Sequence, residues 1–350
     1  MAVKTLAVKY RPNTFEDVVE QDAVKIILKQ QLESKTIKNA YLFVGGAGTG
    51  KTTCARIFAN EINNGEGNPI EMDAASNSGV DDVRSIIKEA KSKSLSSEYK
   101  VFIIDECHAI SNTGWQAFLK LIEEPPAKSI FIFCTTDPQK IPKTILSRVQ
   151  RYDFKRISQK GIVNRLKYVL EREFEEIGHT HGIQWEEEAV EYIAKISEGG
   201  MRDAITLMDK CLSFSKELTL ENVINALGTT DYETMFNLTD ALIDMEAKKL
   251  IEIVEGVHSQ GKDLKQFIHL FMYFLLDIQK YGVGCPFELL QIPKLPAYEE
   301  WLSNCDDGVL KYLKTVLKRV IQLNSDIKYS QYPKADVEAV LLMLCLEEEE

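Results

Sequence analysis

Short apolar runs alternate with helical periodicity through the first 150 or so residues of this chain. The runs are Tyr41-Leu42-Phe43-Val44, Ile70-Glu71-Met72, Val101-Phe102-Ile103-Ile104 and Ile130-Phe131-Ile132-Phe133-Cys134. All but the second are continuous, the mark of strands buried on both faces of a parallel sheet. Helices are predicted between them. Residues 22–35 have apolar positions at 24, 27, 28 and 32, one buried stripe. Helix 51–62 stops at the turn Asn63-Asn64-Gly65-Glu66-Gly67-Asn68-Pro69. Helix 80–93 carries Asp81 and Asp82 in its first turn, where the helix dipole favours them. Helix 113–123 ends at Pro125-Pro126. The alternation predicts an α/β fold with a parallel sheet.

Residues 158–228 read as helical throughout, with helices 160–177, 186–196 and 202–213. Gly228-Thr229-Thr230 marks a boundary, and residues 231–350 are mostly helix. The dense apolar stretch 267–278 is too short to span a bilayer and suits a helix buried in a bundle or subunit interface. Three domains are therefore expected: 1–157, 158–228 and 229–350.

Composition narrows the class. With 45% hydrophobic and 27% charged residues, the chain reads as a globular protein without a membrane span or a signal peptide. The seven cysteines, at 54, 107, 134, 211, 285, 305 and 345, are scattered and never in C-x-x-C spacing. They read as free thiols in a reducing compartment, so a cytoplasmic protein without zinc is expected. His179 and His181 share a loop but have no third ligand nearby. The net charge is −11, and residues 231–350 hold 12 basic against 21 acidic side chains. Nucleic-acid binding would thus rest on a local basic surface rather than on overall charge.

The chemistry centres on Gly45 to Thr53, reading GGAGTGKTT, between the first strand and the helix after it. Gly45, Gly50, Lys51 and Thr52 occupy the fixed places of a phosphate-binding loop. Gly45, Gly46, Ala47, Gly48, Thr49 and Gly50 would curl backbone N–H groups around phosphates, and the helix beginning at Lys51, Thr52 and Thr53 adds its positive end. Lys51 would reach the outer phosphates and the Thr52 hydroxyl would hold Mg²⁺. Asp105 and Glu106 end the third strand, where ligands bind in open α/β sheets. Asp105 is placed to hold Mg²⁺ and Glu106 to deprotonate an attacking water. Thr136, with Thr135 close behind, tips the next strand and can touch a γ-phosphate. His108 reads equally as a coupling residue or a packing histidine. Upstream, Tyr10-Arg11-Pro12 and Val18-Val19 form an arm able to pack on an adenine ring. Arg148 and Arg202 read, by spacing alone, as surface arginines.

The order and wording of these motifs resemble the bacterial DNA polymerase III gamma/tau family of clamp-loader ATPases, members of the AAA+ class. The resemblance is carried by YRPNTFEDVVEQ, GGAGTGKTT, IEMDAASNSGVDDVR, VFIIDECHAIS, FLKLIEEPP, TTDPQKIPKTILSR and GGMRDA. It is dense over residues 8–210 and thin beyond about 230. It implies an AAA+ P-loop core, an all-helical lid and an all-helical collar. It implies ATP and Mg²⁺ as ligands, with Tyr10, Arg11, Pro12, Val18 and Val19 bordering the adenine. Thr136 would be the first sensor, Arg148 an arginine finger completing a neighbour's site, and Arg202 the second sensor on the lid. The implied partners are other loader subunits in a pentameric ring, a sliding clamp and primer–template DNA.

The chain departs from the family pattern. Residues 60–70 join the loop helix to the IEMDAAS strand directly, where the family usually carries a four-cysteine zinc module. This fits a phage-encoded or divergent member. Val149 follows Ser147-Arg148 where the family has cysteine, Glu20 stands where glycine is common, and Ser78 stands near a usual basic residue. Candidate DNA contacts are therefore Asn77, Ser78 and Arg84. Two other readings remain: a non-hydrolysing structural subunit, which would lose Lys51, Thr52, Asp105 and Glu106, and another AAA+ DNA motor such as a branch-migration helicase.

Overall fold

The computed structural model describes residues 4–77, 79–92, 97–177, 184–227 and 231–346. Ser78, His179, His181, the boundary Gly228-Thr229-Thr230 and Glu347 to Glu350 lie outside them. The chain divides into two compact units, residues 1–218 and 219–350.

The first unit opens with α1 (Leu6–Lys9), α2 (Asp22–Glu33), β1 (Ala40–Val44), α3 (Lys51–Ile62), β2 (Ile70–Asp73) and α4 (Val80–Lys91). It continues with β3 (Lys100–Asp105), α5 (Asn112–Glu123), β4 (Ser129–Thr135), α6 (Lys143–Leu146) and β5 (Gln150–Asp153). The five strands form one parallel sheet in the order β2-β3-β4-β1-β5. Each central strand is apolar on both faces because helices cover both. Leu42, Val44, Phe102, Ile104, Phe131 and Phe133 face one side with Trp115 and Phe118 of α5. Tyr41, Phe43, Val101, Ile103, Ile130 and Ile132 face the other with Cys54, Ile57 and Phe58 of α3. This is the period-two alternation of a strand, with apolar residues at every step.

Helices α7 (Gln159–Ile177), α8 (Glu187–Ile196) and α9 (Met201–Phe214) follow, and they pack on one another. Two short strands, β6 (Gln184–Trp185) and β7 (Glu217–Leu218), pair in parallel between them. The pattern reading of 158–228 as all helix passed over this pair, since two residues are too few to show a period. The N-terminal α1 packs on α9, and the Leu6 N–H donates to Asp209 Oδ2 at 3.0 Å.

The second unit is helical: α10 (Leu220–Leu227), α11 (Asp231–Ile243), α12 (Ala247–Ser259), α13 (Leu264–Gly282), α14 (Pro296–Ser303), α15 (Asp307–Asp326) and α16 (Pro333–Leu346). The dense apolar stretch lies in α13, whose Phe267, Ile268, Phe271, Phe274, Leu275 and Ile278 are buried in the core of this unit. Asp277 on the same helix is 1% exposed. Its carboxylate accepts the N–H groups of Gln291 and Ile292 and the ammonium of Lys280, so it ties the loop after α13 to the core. Removing it strands two buried N–H donors, each worth about 1–3 kcal/mol unmet. Asp277→Ala is therefore expected to cost about 2–5 kcal/mol in urea unfolding. Glu255→Ala, which breaks only an exposed pair with Lys334, should leave the midpoint where it is.

Candidate functional site

The phosphate loop is built by close approach. Gly45 follows β1 where a Cβ would lie 2.5 Å from the Phe154 carbonyl oxygen, so no side chain fits beside β5. Its N–H donates to Thr135 O at 3.2 Å, tying the loop to the end of β4. Gly48 has φ +68, in the left-handed region, and a Cβ there would meet Gly200 Cα at 2.9 Å. The Met201 N–H donates to Gly48 O at 3.0 Å, so the start of α9 is fastened to the loop. Gly50 is the N-cap of α3 and no side chain caps this helix. The first-turn N–H groups therefore face the loop, where an anion would be favoured.

Lys51 is 6% exposed and its ammonium donates to Gly45 O and Gly46 O at 2.8 and 2.7 Å. Burial lowers its pKa, opposed by the negative side chains around it, Glu106 and Asp105 among them. A phosphate would supply the counter-charge the loop carbonyls only partly provide. Thr52 Oγ1 donates to Asp105 Oδ2 at 2.7 Å. Asp105 Oδ1 accepts the Glu106 N–H at 3.0 Å, which holds the carboxylate in place. A hydroxyl and a carboxylate side by side suit a hard, oxygen-seeking cation such as Mg²⁺, which takes one or two protein oxygens and fills its shell with phosphate and water.

Glu106 has φ 45 and ψ 42, left-handed for a non-glycine residue, which costs roughly 1–2 kcal/mol. Thr136 Oγ1 donates to Glu106 Oε2 at 3.0 Å. The strand order explains the meeting: β4 lies between β1 and β3, so its tip stands between the loop and the carboxylates.

A cleft of about 270 Å³ opens here. It is lined by Tyr10, Arg11, Pro12, Val18 and Val19 of the arm. Ala47 through Thr53 of the loop and its helix, with Asp105 and Glu106, form another wall, and Arg202 stands on the lid side. Gly45, Gly46 and Thr136 are not in its lining, and Gly46 borders a separate hollow with Arg156, Glu198 and Gly200. Arg202 is exposed, and its guanidinium makes no hydrogen bond or ion pair among the described residues.

Other expected residues are placed elsewhere. Arg148 is on the surface beyond α6, bonded to Thr144 O at 2.9 Å, Ser147 Oγ at 3.0 Å and Glu123 Oε1 at 2.8 Å. Asn77 turns back on Asp73 O at 3.1 Å, and Arg84 pairs with Asp81 at 3.1 Å on an exposed face of α4. Neither enters the cleft.

Sequence reasoning missed Arg165, which lines the cleft, and Gln21, which braces the loop from outside it. Arg165 on α7 lines it, donates to Tyr10 O at 2.9 Å and stacks on Tyr168, with burial lowering its pKa. The signal was present: Arg165 falls in the apolar phase of α7 with the buried Ile162, Leu166 and Val169. Gln21, 8% exposed, clasps Lys155 through both its backbone N–H and C=O, at 3.1 and 2.7 Å. A lone glutamine carries no pattern that would mark it.

Comparison with known proteins adds the following. A family profile described as DNA polymerase III, delta subunit, matches residues 66–158. Another, the ATPase lid domain of the DNA polymerase III clamp loader subunit, matches residues 161–217. DNA polymerase III subunit tau of Bacillus subtilis is 33% identical over 99% of this chain and 64% of its own length. Its Escherichia coli counterpart is 32% identical over 75% of this chain and 43% of its own length. The chain thus spans less than two thirds of the length of these curated relatives. Among solved structures, the Thermotoga maritima RuvB Holliday junction branch migration motor superposes with a TM-score of 0.50 at 19% identity, covering 73% of this chain and 86% of that one. That likeness is one of fold alone.

The tight packing at Gly48 has a measurable consequence. Gly48→Ala combines a left-handed alanine with a backbone clash, whereas Gly65, φ +85, has open space around it. Gly65→Ala should cost about 1–2 kcal/mol in urea unfolding, and Gly48→Ala distinctly more, with weakened nucleotide binding in a titration.

Proposed function

We propose that this chain, which belongs to the DNA polymerase III gamma/tau family, is an ATPase subunit of a sliding-clamp loader. ATP binding and hydrolysis would drive opening of the clamp and its loading on primer–template DNA. The observation that carries the hydrolytic reading is the constellation at the strand ends: buried Lys51, Thr52 bonded to Asp105, and Glu106 bonded to Thr136. A non-hydrolysing structural subunit has no use for this set, so its presence favours the hydrolase.

Residues 1–157 serve as the nucleotide-binding part, and the lid runs from 158 to about Leu218, where the first unit ends. The helical second unit serves as the collar. Tyr10, Arg11, Pro12, Val18 and Val19 hold the adenine, and the loop N–H groups with Lys51 hold the phosphates. Thr52 and Asp105 hold Mg²⁺, which supplies positive charge to the β- and γ-phosphates when bound. Glu106 would take a proton from the attacking water as the water's oxygen bonds to the γ-phosphorus, and the bond from that phosphorus to the β–γ bridging oxygen breaks to leave ADP and phosphate. Thr136, bonded to Glu106, would be the first sensor and Arg202 the second. Arg148 lies outside its own chain's cleft and exposed, which supports a role in trans on a neighbour's γ-phosphate, in a ring of five loader subunits. Such a finger contributes on the order of 10³–10⁵ in rate. Asn77, Ser78 and Arg84 remain the candidate DNA contacts, and the cytoplasm the expected location.

The test is steady-state ATP hydrolysis by the chain with its loader subunits, with and without sliding clamp and primed DNA. Turnover should rise when both are added, and unchanged turnover would refute the loader reading. Lys51→Ala should weaken ATP binding at least about tenfold, since it removes a charge-assisted contact. Arg148→Ala should leave ATP binding intact and lower hydrolysis by the assembled ring at least about 10²-fold.

A further inference from the structure

His108 is a side chain that the ATPase reading leaves without a role. It sits in the short turn Cys107–Ala109 directly after Glu106. Its Nδ1 lies 3.2 Å from Glu106 Oε2 and 3.2 Å from Thr135 Oγ1. Thr135 Oγ1 in turn accepts the Asp137 N–H at 3.0 Å, which fixes the hydroxyl against the ring. Thr136 Oγ1 donates to the same Oε2 at 3.0 Å. Glu106 Oε2 thus accepts a hydrogen bond from Thr136 and has the imidazole 3.2 Å away, while Oε1 has no hydrogen bond among the described residues. The residue as a whole lines the cleft.

A carboxylate only accepts, so the contact between the imidazole and Oε2 is attractive with the proton on Nδ1, which then faces both Oε2 and Thr135 Oγ1. The Glu106 side chain is 34% exposed. The Thr136 hydroxyl bonded to Oε2 and the imidazole beside it restrict the carboxylate and leave the other oxygen unbonded. We infer that His108 is a positioning residue: its Nδ1–H, together with the Thr136 hydroxyl, clamps Oε2 of Glu106 so that Oε1 is presented to the attacking water. This rests on the reading of Glu106 as the group that activates water.

The test measures single-turnover ATP hydrolysis and, separately, ATP affinity, for the full chain and for Glu106→Gln, His108→Ala, His108→Asn and His108→Gln. Thermal unfolding of each is followed alongside. His108→Ala should slow hydrolysis roughly 10- to 100-fold, the cost of a misaimed catalytic group, with ATP affinity and unfolding temperature little changed. An asparagine amide can place an N–H where Nδ1 stood, so His108→Asn should recover most of the rate. A glutamine amide reaches the Nε2 position instead, so His108→Gln should stay slow. Wild-type hydrolysis by His108→Ala overturns the inference, and so does equal activity of the Asn and Gln variants. If His108→Ala does not fold, the Asn–Gln comparison decides; if all three unfold, His108 is a packing residue and the inference falls. Glu106→Gln separates the two readings. If it hydrolyses at the normal rate, the assignment of Glu106 itself fails. If it is inactive while His108→Ala is fully active, only the positioning role fails.

Discussion

The hydrogen bond from Thr52 to Asp105 joins residues 53 apart in sequence, and the rest of the site is arranged around it. It can form because β1 and β3 run parallel with β4 between them, so the loop after one and the carboxylates after the other open on the same edge of the sheet. Parallel order requires crossover helices on both faces. Those helices demand strands apolar at every position. The run Phe131-Ile132-Phe133 is completely buried because it meets α5 on one side and the α3 layer on the other. At the carboxyl ends of the central strands the apolar runs give way to Thr135, Asp105 and Gly45. Packing and chemistry are thus separated along each strand: the body is core, the tip is site.

At the tips, fixed backbone geometry takes over from hydrophobic packing. Gly45 is held between β5 and the end of β4, and Gly48 between the loop and the start of α9. Glu106 stands in a left-handed conformation, and its carboxylate accepts the Thr136 hydroxyl with His108 beside it. Strain of this kind persists where the surroundings over-determine it. The surroundings are supplied by three elements at once: the β3 turn, the β4 tip and the loop.

The N-terminal arm and the lid helices share the cleft. Tyr10 O is bonded by Arg165 of α7, Leu6 N–H by Asp209 of α9, and Gly48 O by Met201 N–H. Residues at the beginning of the chain, in the loop and beyond residue 157 therefore form one wall. Arg165 therefore ties the arm to α7 at the wall of the cleft. The second unit has its own core on α13 and its own buried anchor in Asp277.

The residues alone determined a good deal. Continuous apolar runs identified parallel strands, because a strand covered on both faces has no polar side to show. GGAGTGKTT and Asp105-Glu106 marked the strand ends where the cleft lies, because a glycine-rich turn and paired carboxylates interrupt the apolar pattern there. The tertiary structure decided what no local pattern encodes. It put Arg165 into the cleft and Gln21 on the Lys155 backbone, since a side chain in the apolar phase of a helix or at a loop start reveals its target only when the partner backbone is present. It set β6 against β7, too short for any period. It also placed His108 and Thr136 on a single oxygen of Glu106. That last meeting depends on which strand lies beside which, and strand order is a property of the assembled sheet, not of any stretch of sequence.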